Sequence, residues 1–404
     1  MRTSWVPIGS YNWFFKVFLI AAVLLLVSCL AYAEEVRGVT DDTIKVAVIT
    51  DMSGPAVPDY GPYRQGVVNY LKYTNEQGKI KGRKIKIIIE DDRYSIPVSI
   101  AAFKKVLYRD RVMAIIGFGT PTITPLYDKI EKEKIPTYGF SVAESMVIPL
   151  KRHVFTHTAS YEDGLRSLVD YVVKDLKAKD PRIGYLAPDL VWGRTGIDVL
   201  KEHTKLYGTK LFDLEILGLS PMDATSQVLS LKRKKINYAI IHNTAGAATA
   251  LMRDAKKLGL KAVFLGSHPA CSDIAVKMAG KAATNMYGVH SFNPWYSGVP
   301  GANKMVEVYS KYNPGKKIPS IYYVQGWVSG MVFVEGLKRA GKDLSNKSLV
   351  SGLEAIKNFS TGDLSADMNY GPKKHRGSNR VKIFKSDVEN GRLKAVTEWK
   401  KPGA

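Results

Sequence analysis

Residues 112–145 read VMAIIGFGTPTITPLYDKIEKEKIPTYGFSVAES, and they decide the fold class. The apolar run Met113–Ile116 predicts a buried parallel strand, since a strand covered on both faces shows no alternation. It breaks at Gly117-Phe118-Gly119. Thr120 as N-cap with Pro121 at the first helical position then opens a predicted helix carrying Leu126, Ile130 and Ile135. The first backbone N–H groups of such a helix point beyond the carboxyl end of the strand, where a carboxylate binds well. A second predicted strand, Ile135–Phe140, brings Ser141 and Ser145 to the same edge. The stretch reads as one wall of a small-molecule site.

The same rhythm extends both ways. Ile44–Thr50 is a strand ending in the turn Asp51-Met52-Ser53-Gly54-Pro55. A helix is predicted over Tyr63–Glu76, a strand over Lys84–Glu90 and a helix over Ile96–Tyr108. After Tyr161 the alternation restarts with helices at Leu165–Leu176, Gly193–Tyr207, Asp223–Lys234 and Ala247–Leu258. They alternate with strands at Arg182–Leu186, Lys210–Leu217, Tyr238–His242 and Ala262–Gly266. Two such runs predict two doubly wound α/β domains with parallel sheets, whose ligands sit beyond the carboxyl ends of the strands. Ser291–Pro300 reads as a connection back to the first domain. Ile321–Leu337 reads as a buried core helix, because Gln325 and Glu335 sit inside its apolar run. Around Asn390-Gly391 the tail reads as a hairpin.

The N-terminus is set apart. Arg2 and Lys16 precede or open the eleven-residue apolar run Val17–Val27, and Ala31-Tyr32-Ala33 has the small-residue pattern of a secretory cleavage site. Residues 1–33 are therefore read as a signal peptide. An overlapping reading takes Leu26-Val27-Ser28-Cys29 as a lipoprotein box, with Cys29 as a membrane anchor. Either reading puts the protein outside the cytoplasm. Beyond the leader Cys271 is the only cysteine, which excludes an intramolecular disulfide. Removing Arg2 and Lys16 from a formal charge of +22 leaves +20. The basic clusters at Lys232–Lys235 and Lys373–Arg376 lack interleaved aromatics, so they read as solvated faces and not as a nucleic-acid surface.

No nucleophile elbow, zincin motif, phosphate loop or dinucleotide fingerprint is present, and neither metal nor cofactor is expected. His153 and His157 lie four apart on a predicted strand, where that spacing keeps the rings apart. Asp91-Asp92 reads as a turn. Strand ends instead carry hydroxyls and aromatics: Ser53 and Tyr60, Thr120, Ser141, Trp192, Thr244 and His268. Recurrence at one topological edge points to binding without catalysis.

These segments, taken together, resemble a known family. IKVAVITDMSGP, Tyr60-Gly61, GKIKGRKIKIIIEDD and IIGFGTPTITPLYDKIEKEKIP are similar in order and spacing to the branched-chain amino-acid-type solute-binding proteins of bacterial ABC importers. YYVQGWVSGMVFVEGLKRAG and KKHRGSNRVKIF are similar to the closing segments of that family, so the resemblance spans Thr43–Trp399. It implies the type I periplasmic binding protein fold, with two Rossmann-like lobes joined by three hinge crossings. Lobe one would be 43–159 plus 291–370, and lobe two 160–290 plus 371–404. It also implies a periplasmic monomer that closes on a small ligand and meets an ABC permease in the inner membrane. A sensory receptor of the same fold is the alternative.

By position, the resemblance puts a ligand carboxylate against Thr120, the backbone at Gly119 and Val142, and Ser141. Ala143 stands where the family has a further hydroxyl. Tyr60 matches the aromatic wall of lobe one, Trp192 a family tyrosine, and Thr244 a frequent aromatic position. His268, in FLGSHPA, replaces the glutamate that pairs with the amine of an α-amino acid. Glu162 or Asp163, near the first crossing, could compensate for it. The expected ligand is an amino acid, or a carboxylate or amide lacking the α-amino group.

Overall fold

The computed structural model describes Met1 and residues 36–403. The signal-peptide and Cys29 readings lie outside the described residues. Strands β1 (Thr43–Thr50), β2 (Lys84–Asp91), β3 (Ala114–Gly117), β4 (Thr137–Gly139) and β5 (Val154–Phe155) form one sheet in the order β2-β1-β3-β4-β5. All its pairings are parallel. Ile44 and Val46–Ile49 are buried on both faces, which accounts for the unbroken apolar run.

A second sheet holds β6 (Arg182–Ala187), β7 (Lys210–Ile216), β8 (Tyr238–Ile241), β9 (Val263–Gly266), β10 (Met286–His290), β11 (Lys382–Asp387) and β12 (Arg392–Ala395). Its order is β12-β11-β10-β9-β8-β6-β7. It departs from the expected parallel sheet, because β10–β11 and β11–β12 are antiparallel. The hairpin joining β11 to β12 has Gly391 at φ +60°, a left-handed position that glycine takes without strain.

In both sheets the strand order reverses beside the first strand of the unit, at β1/β3 and at β6/β8. Such switch points open a crevice beyond the carboxyl ends. The chain crosses between lobes after β5, after β10 and before β11. Two of the crossings run side by side, with Thr156 N–H donating to His375 O and Gly377 N–H to Thr156 O. The fold is the type I arrangement of two Rossmann-like lobes.

The helix Ile321–Arg339 covers the first sheet and packs against the helix Val57–Gln77. Their backbones nearly touch: a Cβ on Gly66 would overlap the Tyr323 carbonyl, and one on Gly326 the Tyr63 carbonyl. No helix among the described residues is long and apolar enough to cross a membrane.

Three helices depart from the sequence reading in ways that bear on the site. Val57–Gln77 starts six residues before the predicted Tyr63, because Asp51 gathers the turn after β1. Its carboxylate accepts from Gly54 N–H at 2.5 Å and Ala56 N–H at 2.7 Å. The helix at Tyr161 starts four residues before the predicted Leu165. Ser160 and Asp163 form a reciprocal capping box there. The helix at Thr120 runs for one turn, Thr120–Ile123, with Gly119 as N-cap, and Tyr127–Lys132 follows after a 3₁₀ turn at Pro125. Ile135 lies beyond both. A single turn carries little macrodipole, which weakens the expected anion-binding terminus.

Candidate functional site

A cleft lies between the carboxyl ends of the two sheets, where small-molecule sites of such folds form. From lobe one, Tyr60 and Thr120 line it as expected, joined by Asp59, Tyr94 and Phe140. Tyr60 packs on Phe140 at 4.1 Å between ring centroids and on Tyr94 at 5.9 Å. Gly119 lies beneath this pair, and a Cβ there would strike the Tyr60 hydroxyl. From lobe two come the expected Trp192, Thr244 and His268, together with Leu219 and Pro269. Tyr161, at the first crossing, and Tyr322, on the long helix, complete the wall.

Four expected residues do not line the cavity. Gly119, Ser141, Val142 and Ala143 are buried one layer behind it. Ser141 Oγ lies 2.5 Å from Thr120 Oγ1 and accepts from Ala143 N–H at 3.2 Å. The Tyr161 hydroxyl is directed at this group. Thr120, Ser141 and Val142 lie close to it, and burial pushes the phenol up to about 12. Tyr161 from the crossing thus stands over donors that the sequence reading gave to a ligand carboxylate.

Thr244 is committed to its own helix. Its hydroxyl caps Ala247 N–H at 3.2 Å and donates to the Leu219 carbonyl at 2.5 Å, which leaves its methyl group for the cavity. Trp192 sits in the first turn of the helix Val191–Lys205, with its ring edge-on to His242 at 4.7 Å.

His268 is held from behind. Its Nε2 lies 3.1 Å from Gln325 Oε1, and its ring stacks on His290 at 4.1 Å. The Gln325 amide donates to the Phe140 carbonyl at 2.9 Å and reaches His157 Nε2 at 3.2 Å. Burial holds His268 down to about 4, and His157 and His242 down to about 3, so all three are neutral near pH 7. Glu162 and Asp163 are also engaged elsewhere. Glu162 accepts from Glu144 N–H, while Asp163 pairs with Arg376 at 2.9 Å and caps its helix. Neither lines the cavity. Asp91 and Asp92 are turn residues, as read: they accept from Met52, Arg93 and Tyr94 N–H groups.

Sequence reasoning missed Asp59, Tyr94, Tyr161 and Tyr322. The capping box at Ser160 was the one available signal for Tyr161. For Asp59, the proline after Val57 was a helix-start cue.

The architecture, two lobes with a central cleft, is that of a solute-binding protein. The chain belongs to the periplasmic binding protein family, whose model matches residues 43–392. It is 25% identical over 285 residues to the Leu/Ile/Val-binding protein of Escherichia coli K12, covering 70% of this chain and 76% of that protein. A Leu/Ile/Val/Thr/Ala-binding protein of Pseudomonas aeruginosa is 21% identical over 303 residues, covering 74% of this chain and 79% of that protein. Among solved structures, a branched-chain amino acid ABC transporter protein from Thermus thermophilus with bound valine superposes with a TM-score of 0.85. It is 21% identical, covering 90% of this chain and 98% of that one. A fatty acid ABC transporter substrate-binding protein from Thermomonospora curvata reaches 0.82 at 22% identity, covering 92% and 95%. Both structural likenesses speak to the fold.

Proposed function

We propose that this chain is a periplasmic receptor that captures a small organic solute by hinge closure and delivers it to an ABC permease, without catalysis. The observation that carries the reading is the cavity at the strand ends of both sheets, with Thr120 and Tyr60 from one lobe facing Trp192 and His268 from the other. The proposed lobes are 43–159 plus 291–370 and 160–290 plus 371–404. Closure is driven by contacts made only in the closed form, here the second-lobe aromatics over a ligand seated on lobe one. The wall is mainly aromatic, which favours a solute with an apolar body. Relatives named for leucine, isoleucine and valine support that character.

The test is a thermal-shift screen of the purified full-length protein against amino acids, their deaminated acids and small amides. A ligand of the native cleft raises Tm according to its affinity. The reading fails if a stabilising solute binds Trp192→Ala and Thr120→Ala as tightly as the unaltered protein.

A further inference from the structure

Asp59 is the only acid among the residues lining the cavity, and no lysine or arginine joins it there. It sits half-buried in the first turn of the helix Val57–Gln77. Among the described residues, no hydrogen bond or ion pair reaches its carboxylate. Tyr60, Tyr94, Tyr322 and Trp192 line the same cavity as this acid. Aromatic faces carry negative potential and attract cations, most strongly where water is excluded. His268 across the cleft is neutral, so it neither repels a cation nor pairs with an anion. A bare carboxylate entering this space is repelled by Asp59 wherever that side chain is ionised and gains no cationic partner where it is not.

We infer that Asp59 holds a cationic nitrogen of the ligand, an ammonium or alkylated ammonium, with the surrounding tyrosines and Trp192 forming its aromatic box. This rests on the reading of the cleft as the ligand site. It assigns recognition of the amine to lobe one, on the opposite side of the cleft from His268. The polarity of a bound zwitterion follows: its nitrogen lies at the Val57–Gln77 helix, and Thr120 is left as the hydroxyl for an oxygen. Burial alone pushes the Asp59 carboxyl up to about 7, and a cation seated against it restores the charged form.

The experiment is calorimetric titration of the full-length protein with L-leucine, 3-methylbutylamine, choline and 4-methylpentanoate. These probes separate amine from carboxylate on similar apolar bodies. At least one nitrogen-bearing probe is expected to bind tenfold or more tightly than 4-methylpentanoate. Asp59→Asn, nearly the same shape, should weaken that probe tenfold or more and leave 4-methylpentanoate unweakened. A purely structural role for Asp59 would weaken both. The inference is overturned if no nitrogen-bearing probe binds. It is also overturned if 4-methylpentanoate binds as tightly as they do, or if Asp59→Asn holds them as tightly as the unaltered protein. Trp192→Ala separates the two levels. If a probe responds to Trp192→Ala and not to Asp59→Asn, the cleft reading stands and the assignment of Asp59 falls. If it responds to neither, both fall.

Discussion

Gln325 Oε1 lies 3.1 Å from His268 Nε2, and this contact ties the long helix of lobe one to the ligand-facing edge of lobe two. The same amide donates to the Phe140 carbonyl and meets His157. One side chain therefore satisfies three buried groups. Gln325→Leu leaves them unpaired, at about 1–3 kcal/mol for each that finds no water. The expected loss is at least ~2 kcal/mol by urea denaturation. A loss under ~0.5 kcal/mol would show that the network carries no weight.

The buried imidazoles set an acid limit. His157, His242 and His268 are held at about 3, 3 and 4, and His290 well below its ordinary value, all chiefly by burial. Because the folded values lie below the unfolded value near 6.5, their contribution is complete above pH 6.5 and is lost as pH falls. Asp59 and Asp92, raised to about 7 and 6 by burial, oppose this in part. A net slope of up to ~3 kcal/mol per pH unit is expected between pH 6.5 and 5. A flat Tm across that window would refute it.

Asp59 has the opposite sign. Its folded value of about 7 lies above the ordinary 3.8, so its contribution is present at low pH and lost as pH rises through 7. The half-buried carboxylate therefore destabilises the unliganded protein at pH 8. Asp59→Asn should be more stable there by ~1–2 kcal/mol, discounted for partial solvation. The difference should fade toward pH 4. A variant no more stable at pH 8 than at pH 4, relative to the parent, contradicts the account.

Trp192→Ala removes the main second-lobe ring over the cavity. A loss of tenfold or more in ligand affinity is expected, ~1.4 kcal/mol or more of stacking and burial. Calorimetry with whichever solute stabilises the parent measures it.

Gly326→Ala tests the helix crossing. Its Cβ would meet backbone at Tyr63, which cannot rotate away. Overpacking of this kind typically costs ~1–3 kcal/mol or more, and chemical denaturation reads it directly.

Much of this protein was legible in its sequence. The strand runs at Ile44 and Met113 were clear because both faces of those strands are buried, and the Asn390-Gly391 turn announced the last hairpin. Tyr60, Thr120, Trp192, Thr244 and His268 were singled out because residues at strand ends share one edge, and all five line the cavity. Other parts of the site depend on tertiary relationships that spacing does not encode. Tyr161 displaced Ser141 and Val142 from the cavity wall by reaching in from a crossing. Tyr322 arrives from a helix some 200 residues away from Thr120 in the chain. Asp59 was passed over because its helix begins through a web of Asp51 hydrogen bonds and not through a side-chain cap.

The pairing of β11 with β10 has a consequence for how the chain is made. Residues 382–395 complete the second sheet, and the helix Ile321–Arg339 that covers the first arrives only a little earlier. Neither core can close while a ribosome is still working through the first three hundred or so codons. Until then both halves remain unfinished, with apolar strand faces open to capture by a holding factor or to threading through a narrow channel. The order of synthesis thus by itself delays the folding of both lobes.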